Sequence, residues 1–170
     1  MKPKIKSKRS HSMQAVQLEI NIQFSDELSA ATRARFKNIF TKQNVKYWLS
    51  WAINPQAPHL KEVTLRVVGA LEGKAMNEQF RGRKYATNIL TFNALDTFNT
   101  QSDLLLCAPV VMDEARSMGS KLKEHCVHLL IHGALHAQGF DHERGPKEEL
   151  EMESIESYLM LALGFKDPYR

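Results

Sequence analysis

The 170-residue sequence lacks the features that mark membrane, secreted and disulfide-stabilised proteins. It has no apolar run of about 18 residues, and its basic start leads into an alternating segment, so neither a membrane span nor a secretory signal is indicated. The two cysteines, Cys107 and Cys126, are too few to staple a chain of this length, and we expect both to be reduced and buried. These absences predict a cytoplasmic protein with no membrane partner.

The sequence also lacks a large excess of positive or negative charge, because its formal net charge is only +4. Five positive charges lie at the start of the chain, on Lys2, Lys4, Lys6, Lys8 and Arg9, and without them the rest is slightly negative. We interpret residues 1–13 as a disordered basic tail and residues 14–170 as a single domain. Net charge alone therefore does not establish a nucleic-acid partner.

Hydrophobic periodicity predicts an α+β fold. Four segments have the alternation or the short apolar run of a strand: 16–24, 62–68, 88–92 and 103–107. Helical spacing indicates one or two helices in 36–53 and single helices at 70–80, 110–117, 121–138 and 148–163. We expect a mixed sheet of about four strands packed with about five helices, in a strand order that the sequence does not specify.

Three histidines near the C-terminus have the spacing of a metal site. His132 and His136 are four residues apart in a predicted helix, so their side chains share one face. His128 continues that face, but a straight helix places it about 12 Å from His136 along the axis. Ligand nitrogens lie about 2.0–2.1 Å from a zinc ion. The third ligand must therefore follow a reversal of the chain, which Gly139 permits, and this favours His142.

The resulting pattern, H-x-x-x-H-x-x-G-x-x-H, is typical of zincin-like sites on a helix and the turn after it. Three imidazole ligands leave one position of a tetrahedral zinc ion open, as in catalytic sites. Imidazole also suits nickel, copper and iron, so we predict one transition-metal ion, with zinc favoured. Asp141 fits two roles equally, orientation of a ligand or formation of a turn. The other histidines are interpreted as packed residues: His11, His59, His125 and His128.

The general base of zinc metallopeptidases is missing. In those enzymes a glutamate follows the first histidine of the motif, whereas this sequence has Gly133. Phosphodiester cleavage has a different requirement, because arginine can stabilise its negatively charged transition state. A metallopeptidase and a noncatalytic, zinc-containing binding factor remain as alternatives to a metal-dependent nuclease.

Two motifs resemble those of the YbeY family of bacterial endoribonucleases and rRNA maturation factors. One comprises the histidine motif and residues 149–169, and the other covers residues 76–92, including the loop Arg81-Gly82-Arg83-Lys84. The segment 103–111 extends the resemblance. The sequence departs from the family at Ser102, where glycine is usual, and at Phe140, where tyrosine is usual.

This resemblance implies that residues 14–170 form a metal-dependent hydrolase domain. The implied activity is zinc-dependent endoribonucleolytic cleavage of single-stranded RNA, in ribosome quality control and in maturation of the 16S rRNA 3′ end. His132, His136 and His142 would bind the metal, and His132 and Arg81 would be catalytic. Arg83 and Lys84 are better interpreted as solvated. The implied partners are rRNA, the small ribosomal subunit, ribosomal proteins and a ribosome-assembly GTPase, with no DNA. In the noncatalytic alternative, the zinc-containing binding factor would be associated with the ribosome.

Overall fold

A computed structural model describes residues 18–54, 60–93 and 100–170 of the chain. Its strands are β1 (Glu19–Phe24), β2 (Glu62–Val68), β3 (Ile89–Asn93) and β4 (Gln101–Cys107). Its helices are α1 (Ala30–Ile39), α2 (Lys42–Ala52), α3 (Ala70–Arg81), α4 (Ala108–Ser117), α5 (Leu122–Ala137) and α6 (Pro146–Ala162). A 3-10 turn, His142–Arg144, precedes α6. The proposed tail at 1–13, His11 and His59 lie outside the described residues.

The strands form one mixed sheet, which confirms the predicted α+β class. Its order is β1-β2-β4-β3, with β1, β2 and β4 parallel and β3 antiparallel to β4. Strand β3 therefore lies at an edge of the sheet. Among the described residues, every helix is too short or too polar to span a bilayer.

The segment before β2, for which one or two helices were predicted, forms two. Helix α1 begins at Ala30, after Ser29 accepts a hydrogen bond from the Thr32 N–H at 3.1 Å. Thr41 caps α2 in the same way, accepting from the Asn44 N–H at 3.1 Å. Capping at both positions satisfies helix N–H groups that have no partner within the helix. The described residues thus contain six α-helices where about five were expected.

Helix α5 is the central element of the core. Its residues Leu130, Ile131 and Ala134 are fully buried in the cluster that includes Leu104 and Leu106 of β4. Burial of one such leucine or isoleucine side chain contributes roughly 1.5–3 kcal/mol. The helix that carries two of the predicted ligands is therefore anchored by the main hydrophobic core.

Both cysteines are buried and free of disulfide bonds, as predicted. Burial raises the pKa of the Cys107 thiol and of the Cys126 thiol, so both stay protonated. Cys107 belongs to a smaller cluster on the opposite face of the sheet, with Val68, Leu90 and Leu105. Cys126 packs within the main core.

Gly133 lies where α5 meets the sheet. A Cβ at this position would be 3.0 Å from side-chain atoms of Ile89 and Leu104, and 3.3 Å from Thr91 Oγ1. The Thr91 hydroxyl also donates to the Gly133 carbonyl oxygen at 3.3 Å. The position at which a metallopeptidase carries its glutamate thus faces the sheet in this protein. Close packing provides a physical reason for glycine there.

We expect Gly133→Leu to lower the free energy of unfolding by roughly 1–3 kcal/mol, the usual cost of overpacking a core. Ala162→Leu is the matched control, because Ala162 is exposed near the end of α6. Urea denaturation followed by circular dichroism measures both variants. Equal losses of stability would contradict the close packing of α5 on the sheet.

Candidate metal centre

His132, His136 and His142 meet at the C-terminal end of α5. Each offers a nitrogen ligand atom, and the three atoms all lie within 4.8 Å of one another. The ring centroids of His132 and His136 are 4.6 Å apart, and the His142 centroid lies 5.2 and 5.1 Å from them, respectively. The structure therefore brings together the three ligands that the sequence predicts, on a helix and the turn that follows it.

A reversal at Gly139 brings His142 to the other two histidines. Gly139 has a φ of 92°, in the left-handed region that favours glycine. Its N–H donates to the His136 carbonyl oxygen at 3.0 Å, and the Phe140 N–H donates to the Leu135 carbonyl oxygen at 3.1 Å. These hydrogen bonds close the end of the helix.

Asp141 forms the turn that holds His142. Its carboxylate accepts hydrogen bonds from the Glu143 N–H at 3.0 Å and from Arg144 Nε at 3.3 Å. The hydrogen bond from Glu143, aided by the one from Arg144, lowers the pKa of Asp141. Of the two roles considered for Asp141, these contacts support the turn.

Hydrogen bonds at Nδ1 leave Nε2 as the ligand atom of both helical histidines. His132 Nδ1–H donates to Glu156 Oε1 at 2.8 Å, and His136 Nδ1–H donates to the Phe140 carbonyl oxygen at 2.9 Å. The two Nε2 lone pairs then face each other at 3.1 Å. Such an approach is favourable when a cation lies between them, and ligand nitrogens on tetrahedral zinc are about 3.3 Å apart. The donor set therefore fits one transition-metal ion.

His136 is held in the form that binds metal. Burial lowers its pKa, and electrostatic repulsion from the neighbouring His132 and His142 side chains lowers it further. The imidazole therefore stays neutral with a free lone pair, as a metal ligand must.

Glu156 of α6 is an important residue that the sequence did not predict. Its carboxylate is fully buried, at 0 % exposure. Besides the bond from His132, its Oε2 accepts from His128 Nε2 at 2.6 Å and from the Tyr169 hydroxyl. Burial alone would raise the pKa of Glu156, but the hydrogen bonds from His128 and His132 lower it to about 2. An ionised carboxylate thus orients one ligand of the candidate metal centre.

The position of Glu156 in the sequence did contain a signal. Met152, Glu156, Leu159 and Met160 are the buried residues of α6, at the spacing of one helical face. A charged residue within an apolar helical face needs a buried partner. The pattern points to such a partner, but it does not identify His132 and His128, which lie on another helix.

Arg81 lies beside the histidine cluster. It ends α3 and lines a cleft of about 330 Å³ that also includes His136, Asn93 and the turn residues on either side of His142. Arg81 Nη1 is 3.9 Å from Glu143 Oε1, and both side chains are substantially exposed. Ion pairs of this kind contribute little, so the guanidinium remains available to a phosphate. Arg144, which the sequence did not predict, lines the same cleft.

The two departures from the family pattern have local explanations. Ser102 is buried, and its hydroxyl donates to the Phe92 carbonyl oxygen at 3.2 Å, tying β4 to β3. Phe140 packs against the main core. Its backbone carbonyl, rather than its ring, is the group that orients His136. The absence of a tyrosine hydroxyl at this position therefore leaves that hydrogen bond intact.

Fold and site together define an α+β protein with a three-histidine centre suited to a metal ion and an arginine beside it. The sequence model of the family described as Endoribonuclease YbeY matches residues 19–164. An Endoribonuclease YbeY from Burkholderia pseudomallei (strain K96243) is 44% identical over 156 residues, 91% of this chain and 81% of the relative. One from Delftia acidovorans (strain DSM 14801 / SPH-1) is 41% identical over 153 residues, 90% and 96% of the respective chains. This chain belongs to the YbeY endoribonuclease family.

A solved structure also resembles this chain. The solution structure of TM1509 from Thermotoga maritima aligns with a TM-score of 0.49 and 22% sequence identity, covering 89% of this chain and 99% of that one. The family match and the names of the relatives agree with the nuclease hypothesis. They support neither the metallopeptidase nor the noncatalytic binding factor.

We expect Glu156→Gln to weaken metal binding about 10- to 100-fold, the usual effect of removing a group that orients a ligand. Glutamine lacks the negative charge of Glu156. Its amide would also place N–H groups where the N–H groups of His128 and His132 need an oxygen acceptor. Glu151→Gln on the exposed side of α6 is the control. Competition with a zinc-binding dye measures affinity, and circular dichroism checks folding. Unchanged affinity in a folded Glu156→Gln protein would contradict the positioning role.

Proposed function

We propose that this protein is a metal-dependent endoribonuclease that hydrolyses phosphodiester bonds of single-stranded RNA. The observation that carries the proposal is the position of Arg81, beside His136 in the cleft at the three-histidine centre. A metal ligand set and a cation in one cleft suit a substrate whose negative charge increases in the transition state. The relatives named Endoribonuclease YbeY support RNA as the substrate.

The side chains have distinct roles in this proposal. His132, His136 and His142 hold the ion, for which zinc is the favoured identity, although imidazole also suits nickel. When bound, such an ion supplies Lewis-acid activation of a phosphoryl oxygen and of water. Arg81 binds the phosphate through its guanidinium and stabilises the developing charge. His132 contributes as the ligand whose orientation is fixed by Glu156.

The cellular substrate in this proposal is ribosomal RNA. By resemblance to the family, the protein acts on the small ribosomal subunit, matures the 16S rRNA 3′ end and takes part in ribosome quality control. Ribosomal proteins and a ribosome-assembly GTPase are the proposed partners, and the cytoplasm is the proposed location. Mapping of 16S 3′ ends in cells that lack the protein tests this assignment, which fails if the ends are unchanged.

We expect Arg81→Ala to slow cleavage of single-stranded RNA about 100- to 1,000-fold, as does loss of one transition-state donor in other enzymes. Arg116→Ala is the control, since Arg116 is exposed on α4 and pairs only with the exposed Asp113 in the described structure. A gel assay with labelled RNA measures the rates. Chelator should abolish cleavage, and added zinc should restore it.

Two results would contradict the nuclease proposal. One is RNA cleavage that persists at the same rate in chelator, because the histidine centre would then have no part in it. The other is equal activity of the Arg81→Ala and Arg116→Ala proteins. Peptide hydrolysis that depends on His136 would instead favour a metallopeptidase.

A further inference from the structure

An exposed aromatic ring adjoins Arg81. Phe80 is 55% exposed at the end of α3. The Phe80 ring contacts the ring of Phe92, with an angle of 67° between the ring planes and 4.8 Å between the centroids. Phe92 in turn packs against the smaller core cluster. Phe80 is therefore held by a rigid neighbour while much of its ring faces solvent.

The two rings and the metal centre lie on opposite sides of the edge strand β3. The side chains of Thr91 and Asn93 point towards α5, where they donate to the carbonyl oxygens of Gly133 and His136. Phe92 lies between them in sequence, so its side chain points to the other face. Arg81 follows Phe80 directly and lines the metal cleft. An RNA strand that crosses the β3 edge of the sheet at Arg81 would therefore contact Phe80 next.

Charges near Phe80 suit a polyanion. Arg81 is followed by Gly82, whose φ of 67° reverses the chain, and then by the exposed Arg83 and Lys84. Glu78 is the exposed acidic residue of the same helical turn. Three cations beside two carboxylates, Glu78 and the Glu143 that pairs with Arg81, leave a positive local balance. Aromatic faces combined with such cations are typical of surfaces that bind single-stranded nucleic acid.

We propose that Phe80 is a stacking platform for one unpaired base of the RNA, next to the phosphate held at Arg81. The inference rests on the proposed endoribonuclease function and adds a reason for selecting single strands. An unpaired base can turn its π-face onto the phenylalanine ring, whereas a base within a duplex is already stacked on its neighbours. Recognition by stacking requires no particular base.

Binding without cleavage tests the platform. In chelator, fluorescence anisotropy should show that Phe80→Leu binds a short single-stranded RNA at least about fivefold more weakly than the unmodified protein. Leucine keeps the apolar cover over Phe92 but removes the aromatic face. Phe80→Trp should bind as tightly or more tightly. The matched control is Tyr158→Leu, an exposed aromatic residue on α6, which should leave affinity unchanged.

An abasic nucleotide identifies the stacked base. Moved along the RNA, it should weaken binding to the unmodified protein at one position by about the same factor as Phe80→Leu. At that position it should cost the Phe80→Leu protein nothing further, since both changes remove the same contact. Duplex RNA should bind the unmodified and Phe80→Leu proteins equally.

The stacking proposal is contradicted if the folded Phe80→Leu protein binds single-stranded RNA with normal affinity. It is also contradicted if the substitution weakens binding to single-stranded and duplex RNA equally. A protein that binds no RNA in chelator also overturns it. These outcomes are separate from failure of the nuclease proposal, which is judged by cleavage and its dependence on Arg81. Normal binding by Phe80→Leu, with cleavage lost in Arg81→Ala, would remove the platform and leave the nuclease.

Discussion

The buried carboxylate of Glu156 is the constraint on which the candidate metal centre depends. A charge without solvent is tolerated only when hydrogen bonds surround it, and three donors do so here: His128, His132 and Tyr169. The two histidine contacts join α6 to α5, and the contact with His132 selects the nitrogen that this residue would present to an ion. Packing of the C-terminal helix and orientation of a ligand are therefore one interaction, and neither can change without the other.

A second constraint is that α5 contributes residues both to the main hydrophobic core and to the candidate metal centre. Its apolar residues fill the main core, and Gly133 allows close approach to β3 and β4. The histidines occupy the part of the helix that this contact leaves free. Because the helix is anchored along its length, the nitrogens of His132 and His136 are organised without an ion, and less conformational entropy would be lost on binding.

Local features of the sequence could be predicted, whereas contacts between distant segments could not. The spacing of His132, Gly139 and His142 specifies a helix, a reversal and a third ligand, and the structure brings these ligands together. Glu156 is 24 residues from His132, so its partner depends on how two helices pack. Strand order depends on similar long-range pairing. Helix α1 was placed too late because residues 30–35 include no large apolar side chain, and its start is marked only by the Ser29 cap.

X-ray absorption spectroscopy of the zinc-loaded protein tests the central claim most directly. The account predicts three imidazole ligands with zinc–nitrogen distances of about 2.0–2.1 Å. The His128→Ala protein should give the same number of imidazoles, because His128 contacts Glu156 and lies outside the three-histidine cluster. Loss of one imidazole in His128→Ala, or a Glu156 carboxylate bound to the metal, would contradict it.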